Sequence, residues 1–336
     1  MRNLLTLLAI SCVCAVWSGE AMREALFTST KDGTRQHAWF WAPEGTKKTP
    51  LLVELHSWSY GDTDKGKPNA HWLGKCQKAG WAIVAPNFRG PNCTPDACGS
   101  DRAVQDVLDA VAWAKSHADI DPDRVYLTGS SGGGMMTLLV AGRAPNVWAA
   151  CAAGCPISDL ARWHAETAAF PDWRKKYADM MEQACGGAPT MKKDEFVHRS
   201  PLTHLAAARA AGVSIDICEG IHDGHTGSVP VGHAIRAFNA LADEKDRISE
   251  ADIAFIEKNE RIPASLAGIW KDPFFGEKIR IHFRRQSANV RLTIFEAGHA
   301  GNTGAAFDWF TRQMRGKPAD WSIAVSGKGR EDVSSK

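Results

Sequence analysis

The chain lacks a charge bias. Forty Lys and Arg stand against 38 Asp and Glu, a formal net charge of +2 over 336 residues. No basic block rises above that mixed background, which removes the electrostatic case for nucleic acid or an anionic membrane surface as partner. There is no C-x-x-C pair either: nine cysteines are scattered, a pattern that does not make a zinc site. No internal repeat, low-complexity tract or long linker interrupts residues 22–321.

Long apolar runs are equally scarce. One stands at the start, in "MRNLLTLLAISCVCAVWSGEA", where Arg2 precedes Leu4 to Val16 and small residues follow. It is too short for a stable membrane span. The layout predicts a signal peptide over 1–20, cleaved between Ser18 and Ala21, and hence a secreted or periplasmic protein. A lipoprotein anchored through Cys12 is the alternative. Removal of the leader leaves seven cysteines. Cys93 and Cys98 share a polar turn, where a local disulfide is expected in an oxidising compartment, and Cys151 and Cys155 are the next closest pair. An odd count leaves at least one thiol free or paired between chains.

What is present is enough for a large core: 44% of residues are hydrophobic and 23% charged. Short, nearly continuous apolar segments read as strands: "QHAWFWA", "LLVELH", "WAIVAPN", "RVYLTG", "WAACAAG", "SIDICEG" and "VRLTIFEAG". Helical patterns lie between them at Asp101 to His117, Gly134 to Arg143, Val231 to Ala242 and Thr303 to Arg315. Such alternation predicts an α/β fold with a mostly parallel central sheet and helices on both faces. Site residues of such sheets lie just beyond the carboxyl ends of strands. One domain is expected over 21–325, with a disordered tail at 326–336. The stretch 159–205 breaks the alternation as a lid-like insertion, and a second irregular stretch runs from Glu244 to Gly276.

The chemistry centres on "VYLTGSSGGGMM". Gly129-Ser130-Ser131-Gly132-Gly133 satisfies G-x-S-x-G with Ser131 central, between a strand-like and a helix-like segment, as a nucleophile elbow requires. Thr128 stands where Ser130 would need a small residue. A phosphate loop is excluded because no Gly-Lys-Ser/Thr follows, and a dinucleotide loop because no acid ends the next strand. A serine hydroxyl needs a base. His299 follows "VRLTIFEAG", and Asp223 follows "SIDICEG" as the orienting acid, with Glu219 as the alternative. His222 and His225 flank Asp223, but an H-x2-H pair without a third ligand does not make a metal site. Gly132 N–H is one expected oxyanion donor; the backbone of Ser57 or Trp58 is the other, with the Tyr60 hydroxyl as a side-chain alternative.

These residues carry a resemblance. "NFRG", "QDVLDAVAWA", "DPDRVYLTGSSGGG", "PISDL", "SVPVGHA" and "FEAGH" occur in the order found in the catalytic domain of the prolyl oligopeptidase family, and the chain resembles it over roughly residues 51–310. The resemblance implies an α/β-hydrolase fold and a Ser131-Asp223-His299 triad without metal or organic cofactor. The chain departs from the family pattern in two places. About 30 residues separate the expected leader from the first core strand, too few for the β-propeller of longer members. The family's acid stands about three residues before the "VP" valine, at Thr226 here, whereas Asp223 lies three residues earlier. The expected function is a secreted serine hydrolase cleaving small peptides. The alternatives are a carboxylesterase acting on acylated carbohydrate or small esters, with Trp163 and Trp173 as sugar-stacking surfaces, and a non-catalytic binding protein on a hydrolase scaffold.

Overall fold

Helices cover both faces of the central strands, and the strand sequences show why they can. Along the strand that ends at the elbow, Val125 and Leu127 face one way and Tyr126 the other, all fully buried. The first set joins the larger core with Leu51, Val53, Ile215, Ile217, Leu292 and Ile294. Tyr126 joins Leu52, Ile83, Trp309 and Phe310 in a second core on the opposite face. A strand apolar on both sides has lost its period-2 signature, which is the mark of a parallel sheet between helical layers.

The computed structural model describes residues 21–45, 47–59 and 70–323. The strands are β1 (Arg23–Thr28), β2 (Arg35–Trp41), β3 (Thr49–Leu55), β4 (Ala82–Pro86), β5 (Ile120–Ser130), β6 (Ala150–Gly154), β7 (Ser214–Gly220), β8 (Ile281–Ser287) and β9 (Val290–Phe295). They form one sheet in the order β1-β2-β4-β3-β5-β6-β7-β9-β8. From β4 through β9 neighbours are parallel; β1, β2 and β8 join antiparallel at the two edges. The mostly parallel α/β-hydrolase sheet predicted from the sequence is the observed one.

The helices are α1 (Ala70–Ala79), α2 (Asp101–His117), α3 (Gly132–Arg143), α4 (Leu160–Ala169), α5 (Lys176–Cys185), α6 (Lys193–Arg199), α7 (Leu205–Ala210), α8 (Gly232–Leu241), α9 (Glu250–Asn259) and α10 (Thr303–Phe310). Residues of α2, α3 and α8 line the larger core, and those of α1 and α10 the second. Helix α2 starts where Ser100 Oγ accepts a hydrogen bond from Ala103 N, and buries Val104, Val107, Ala110, Val111 and Ala114. The stretch 159–205 is an excursion between β6 and β7 containing α4, α5 and α6. Trp163 of α4 and Tyr177 of α5 meet there, ring centroids 5.1 Å apart.

The structure departs from the sequence expectations at several points. The helix expected to reach Arg315 ends at Phe310. Strands β1 and β8 and helices α1, α4, α5, α6, α7 and α9 have no counterpart among the segments read from the sequence. Strand β8 carries two arginines in "IHFRRQS", and both are tethered: Arg284 to Asp272 at 2.9 Å, Arg285 to Asp246 O at 3.1 Å. The seven described cysteines are all free thiols, so the expected Cys93–Cys98 disulfide is not formed. Cys98 is instead buried in the larger core. The expected leader, the tail from 326 and Tyr60 lie outside the described residues.

Candidate active site

Five neighbouring parallel strands, β3, β5, β6, β7 and β9, each deliver one residue just past their carboxyl ends. In sheet order these are Trp58, Ser131, Cys155, Asp223 and His299. Side chains far apart in sequence converge because parallel strands end on the same edge.

Ser131 sits at φ 61°, ψ −122°, a backbone conformation rare for a residue with a Cβ. The turn from β5 into α3 imposes it, and the flanking glycines permit it. A Cβ on Gly129 would lie 2.5 Å from Gly133 O, and one on Gly133 would lie 2.2 Å from Leu55 O. Ser131 N donates to Gly154 O at 2.9 Å, tying the elbow to the end of β6. Gly134 packs as closely: a Cβ there would meet Gly154 O at 2.5 Å.

Asp223 and His299 are in direct contact. His299 Nδ1 lies 2.5 Å from Asp223 Oδ2, and the acid side chain is fully buried. Asp223 Oδ1 accepts from Gly224 N at 2.9 Å and Val229 N at 3.2 Å. A carboxylate oxygen only accepts, so the imidazole proton is on Nδ1 and the Nε2 lone pair is free to act as a base. The residues between Asp223 and the "VP" valine arch back so that Val229 N reaches the carboxylate. That arch is how an acid three residues early still meets the histidine. Among the described residues Ser131 Oγ makes no hydrogen bond; the neighbour of His299 Nε2 is Cys155 Sγ, at 4.0 Å.

Glu219, the alternative acid, does not touch His299. It is fully buried with neither carboxyl oxygen hydrogen-bonded. Burial first, then the nearby Asp223 charge, push its pKa well above the usual carboxyl range. Burial, then Glu219 and Asp223, likewise hold the Cys155 thiol protonated.

The acid loop is fastened from outside by a residue that the sequence reading missed. Arg174, in the 159–205 excursion, donates from one guanidinium nitrogen to Gly224 O at 2.9 Å, Gly227 O at 3.2 Å and His225 O at 3.4 Å. Asp172 holds its other nitrogens at 2.7–3.1 Å, and its guanidinium lies 3.5 Å from the Phe170 ring centroid. On the outer side His222 bridges Glu296 at 2.7 Å and Glu260 at 2.6 Å, tying the loops that carry Asp223 and His299. Its two acidic partners, Glu296 first, raise its pKa. His225 Nε2 meets Glu257 O at 2.6 Å. Both histidines therefore work in loop anchoring.

The backbones of Gly132 and Trp58, the expected oxyanion donors, pack against each other. A Cβ on Gly132 would lie 2.5 Å from Trp58 N, so only glycine lets the two backbones approach. Asn92 N holds the Trp58 carbonyl at 3.0 Å. Beside it the His56 ring stacks on Phe88 at 3.8 Å, with its nitrogens 2.9 Å from Ser57 O and 2.8 Å from Asn87 O. Ser57 is exposed and is placed here by its carbonyl. The Trp58 indole is buried against Trp163 at 4.8 Å. Trp163 is itself buried, its Nε1 bound to Ser228 O at 2.7 Å, and has no face open to a sugar; Trp173 is 56% exposed.

A sequence model of the prolyl oligopeptidase family matches residues 76–257, more than half of the chain. The chain belongs to the prolyl oligopeptidase family. Within it, the chain is 29% identical over 202 residues to the uncharacterized peptidase YuxL of Bacillus subtilis (strain 168), covering 54% of this chain and 28% of that protein. It is 27% identical over 177 residues to the acylamino-acid-releasing enzyme of Arabidopsis thaliana, covering 49% and 22%. It thus spans about a quarter of the length of these curated relatives. An acylaminoacyl peptidase solved in complex with Z-Gly-Gly-Phe-chloromethyl ketone shares the fold at TM-score 0.58 and 15% identity, over 90% of this chain and 44% of that one. The family match stops short of His299, whose place is defined by its contact with Asp223. Among the described residues no helix is long and apolar enough to cross a membrane.

Proposed function

We propose that this member of the prolyl oligopeptidase family is a serine peptidase that cleaves small peptides through a Ser131-His299-Asp223 triad and an acyl-enzyme. The observation that carries the reading is the 2.5 Å contact of His299 Nδ1 with the buried Asp223, on a sheet edge shared with a strained Ser131. Ser131 Oγ attacks the acyl carbonyl as His299 Nε2 takes its proton, and Asp223 stabilises the resulting imidazolium. The oxyanion receives the N–H groups of Gly132 and Trp58. The imidazolium then protonates the leaving amine, and water repeats the sequence to release the acid. The Ser131–His299 hydrogen bond forms in the reacting complex; such contacts are commonly long in unliganded hydrolases.

Family membership and relatives described as peptidases favour amide over ester substrates. In this reading the 159–205 excursion is a lid whose Arg174 couples its position to the acid loop. The leader expected at 1–20 assigns the enzyme to a secreted or periplasmic location, which fractionation of expressing cells tests directly. The reaction class is tested by comparing kcat/KM on aminoacyl-p-nitroanilides and p-nitrophenyl acyl esters. Efficient anilide turnover is expected. Ester turnover without anilide turnover moves the assignment to a carboxylesterase.

A further inference from the structure

We propose that Cys155 and His299 together form an inhibitory site for a thiophilic divalent cation, with Zn2+ as its probe. The inference rests on the triad reading for its inhibitory effect, but not for binding itself. Cys155 follows β6 directly and is held at φ 37° by its N–H bond to Cys218 O at 2.8 Å, while the preceding Gly154 carbonyl holds Ser131 N. The thiol is thereby fixed on the flank of the elbow, with Sγ 4.0 Å from His299 Nε2. One ligand atom each of Cys155, His299 and Asp223 lies within 4.8 Å of the others.

Tetrahedral zinc, with Zn–S about 2.3 Å and Zn–N about 2.1 Å, separates sulfur and nitrogen by roughly 3.6 Å. A closure of a few tenths of an ångström from the observed 4.0 Å completes the bidentate grip. The histidine is already prepared for it. Asp223 holds the proton on Nδ1 and directs the Nε2 lone pair towards the thiol, the carboxylate–histidine arrangement that orients zinc ligands. A sulfur and an imidazole select zinc or its congeners over magnesium and calcium. The His299 side chain is 28% exposed and Cys155 only 1%, so the cation enters from the histidine side, and water fills its remaining positions. On binding, the S–H bond breaks, the proton passes to solvent and the thiolate takes the metal. Zinc then occupies the lone pair that must accept the Ser131 proton, and turnover stops.

A competing explanation is the outer cluster of His222, Glu260, Glu296 and His282, which could bind zinc without touching the triad. The test therefore measures fluorophosphonate labelling of the full-length enzyme against Zn2+ concentration, in wild type, Cys155→Ala, Cys155→Ser and His282→Ala. Wild type and His282→Ala should lose labelling in parallel and regain it with chelator. The Cys155 variants should need no less than the roughly 10–100-fold more zinc that loss of even an outer-shell partner costs. Equal zinc sensitivity of wild type and both Cys155 variants overturns the site. Co2+ gives a readout free of catalysis: a thiolate-to-cobalt charge-transfer band in wild type that is absent from Cys155→Ser. A wild type that never labels refutes the triad reading alone, and the presence or absence of the cobalt band then decides the metal site.

Discussion

Replacing Asp223 by asparagine alters one atom of the side chain, and the structure dictates which way the amide turns. Oδ1 of the native acid accepts from Gly224 N and Val229 N, and Oδ2 faces His299 Nδ1. An amide has one acceptor and one donor. With its oxygen kept on the two backbone N–H groups, its NH2 points at Nδ1. The reverse orientation opposes NH2 to both N–H groups, and the buried one, Val229 N, is left unsatisfied at about 1–3 kcal/mol. The first orientation wins. Nδ1 must then accept, the imidazole proton moves to Nε2, and the base is lost in a protein that keeps its fold. By the precedent of the serine triad, kcat should fall on the order of 10⁴-fold, about 5.5 kcal/mol of transition-state stabilisation. Steady-state kinetics on the best p-nitroanilide or p-nitrophenyl substrate, with thermal melts alongside, reads the effect. A loss under tenfold in a folded variant would refute the tautomer argument.

Two further expectations follow from the same geometry. Arg174→Ala releases Gly224, His225 and Gly227 from the guanidinium, so kcat should fall about 10–100-fold with KM little changed, the usual penalty for a misplaced catalytic group. Arg174→Lys should recover little, since an ammonium cannot also keep the forked contact with Asp172; full recovery would mean that charge alone matters. Glu54 on β3 is a stability prediction: burial raises its pKa from 4.5 to about 8. The fold must therefore keep a proton that the unfolded chain releases, so stability is greatest below that lower value and is lost as pH rises through the upper one. Near pH 7 the deficit is about 3 kcal/mol. Glu54→Gln escapes it and should gain roughly 1–3 kcal/mol near pH 7 and almost nothing near pH 4, after allowing for the buried amide. A gain independent of pH in urea titrations would show that the carboxyl is not the cause.

The central strands, the elbow and the two loops bearing Asp223 and His299 were legible from sequence because each carries a local signal. Apolar runs marked strands, glycines marked the turn, and position after a strand marked the site. The edge strand β8 was hidden because Arg284 and Arg285 look like surface charge until their partners Asp272 and Asp246 are seen. Arg174 was illegible for the same reason: its three carbonyl partners lie some 50 residues along the chain. Cys155 read as one half of a possible disulfide. Only the register of β6 between β5 and β7 shows that it ends beside the histidine. The cysteine pairing also failed, because closeness in sequence says little about whether a core prefers a buried thiol.

Covalent labelling is the sharpest measurement of whether Ser131 is the nucleophile. Wild-type protein treated with a fluorophosphonate should gain one adduct by intact mass, mapped to the peptide containing Ser131, while Ser131→Ala stays unmodified. Equal labelling of the two proteins, or an adduct mapped to Ser130, would contradict that role. A folded wild type that takes no adduct at all would favour the non-catalytic scaffold.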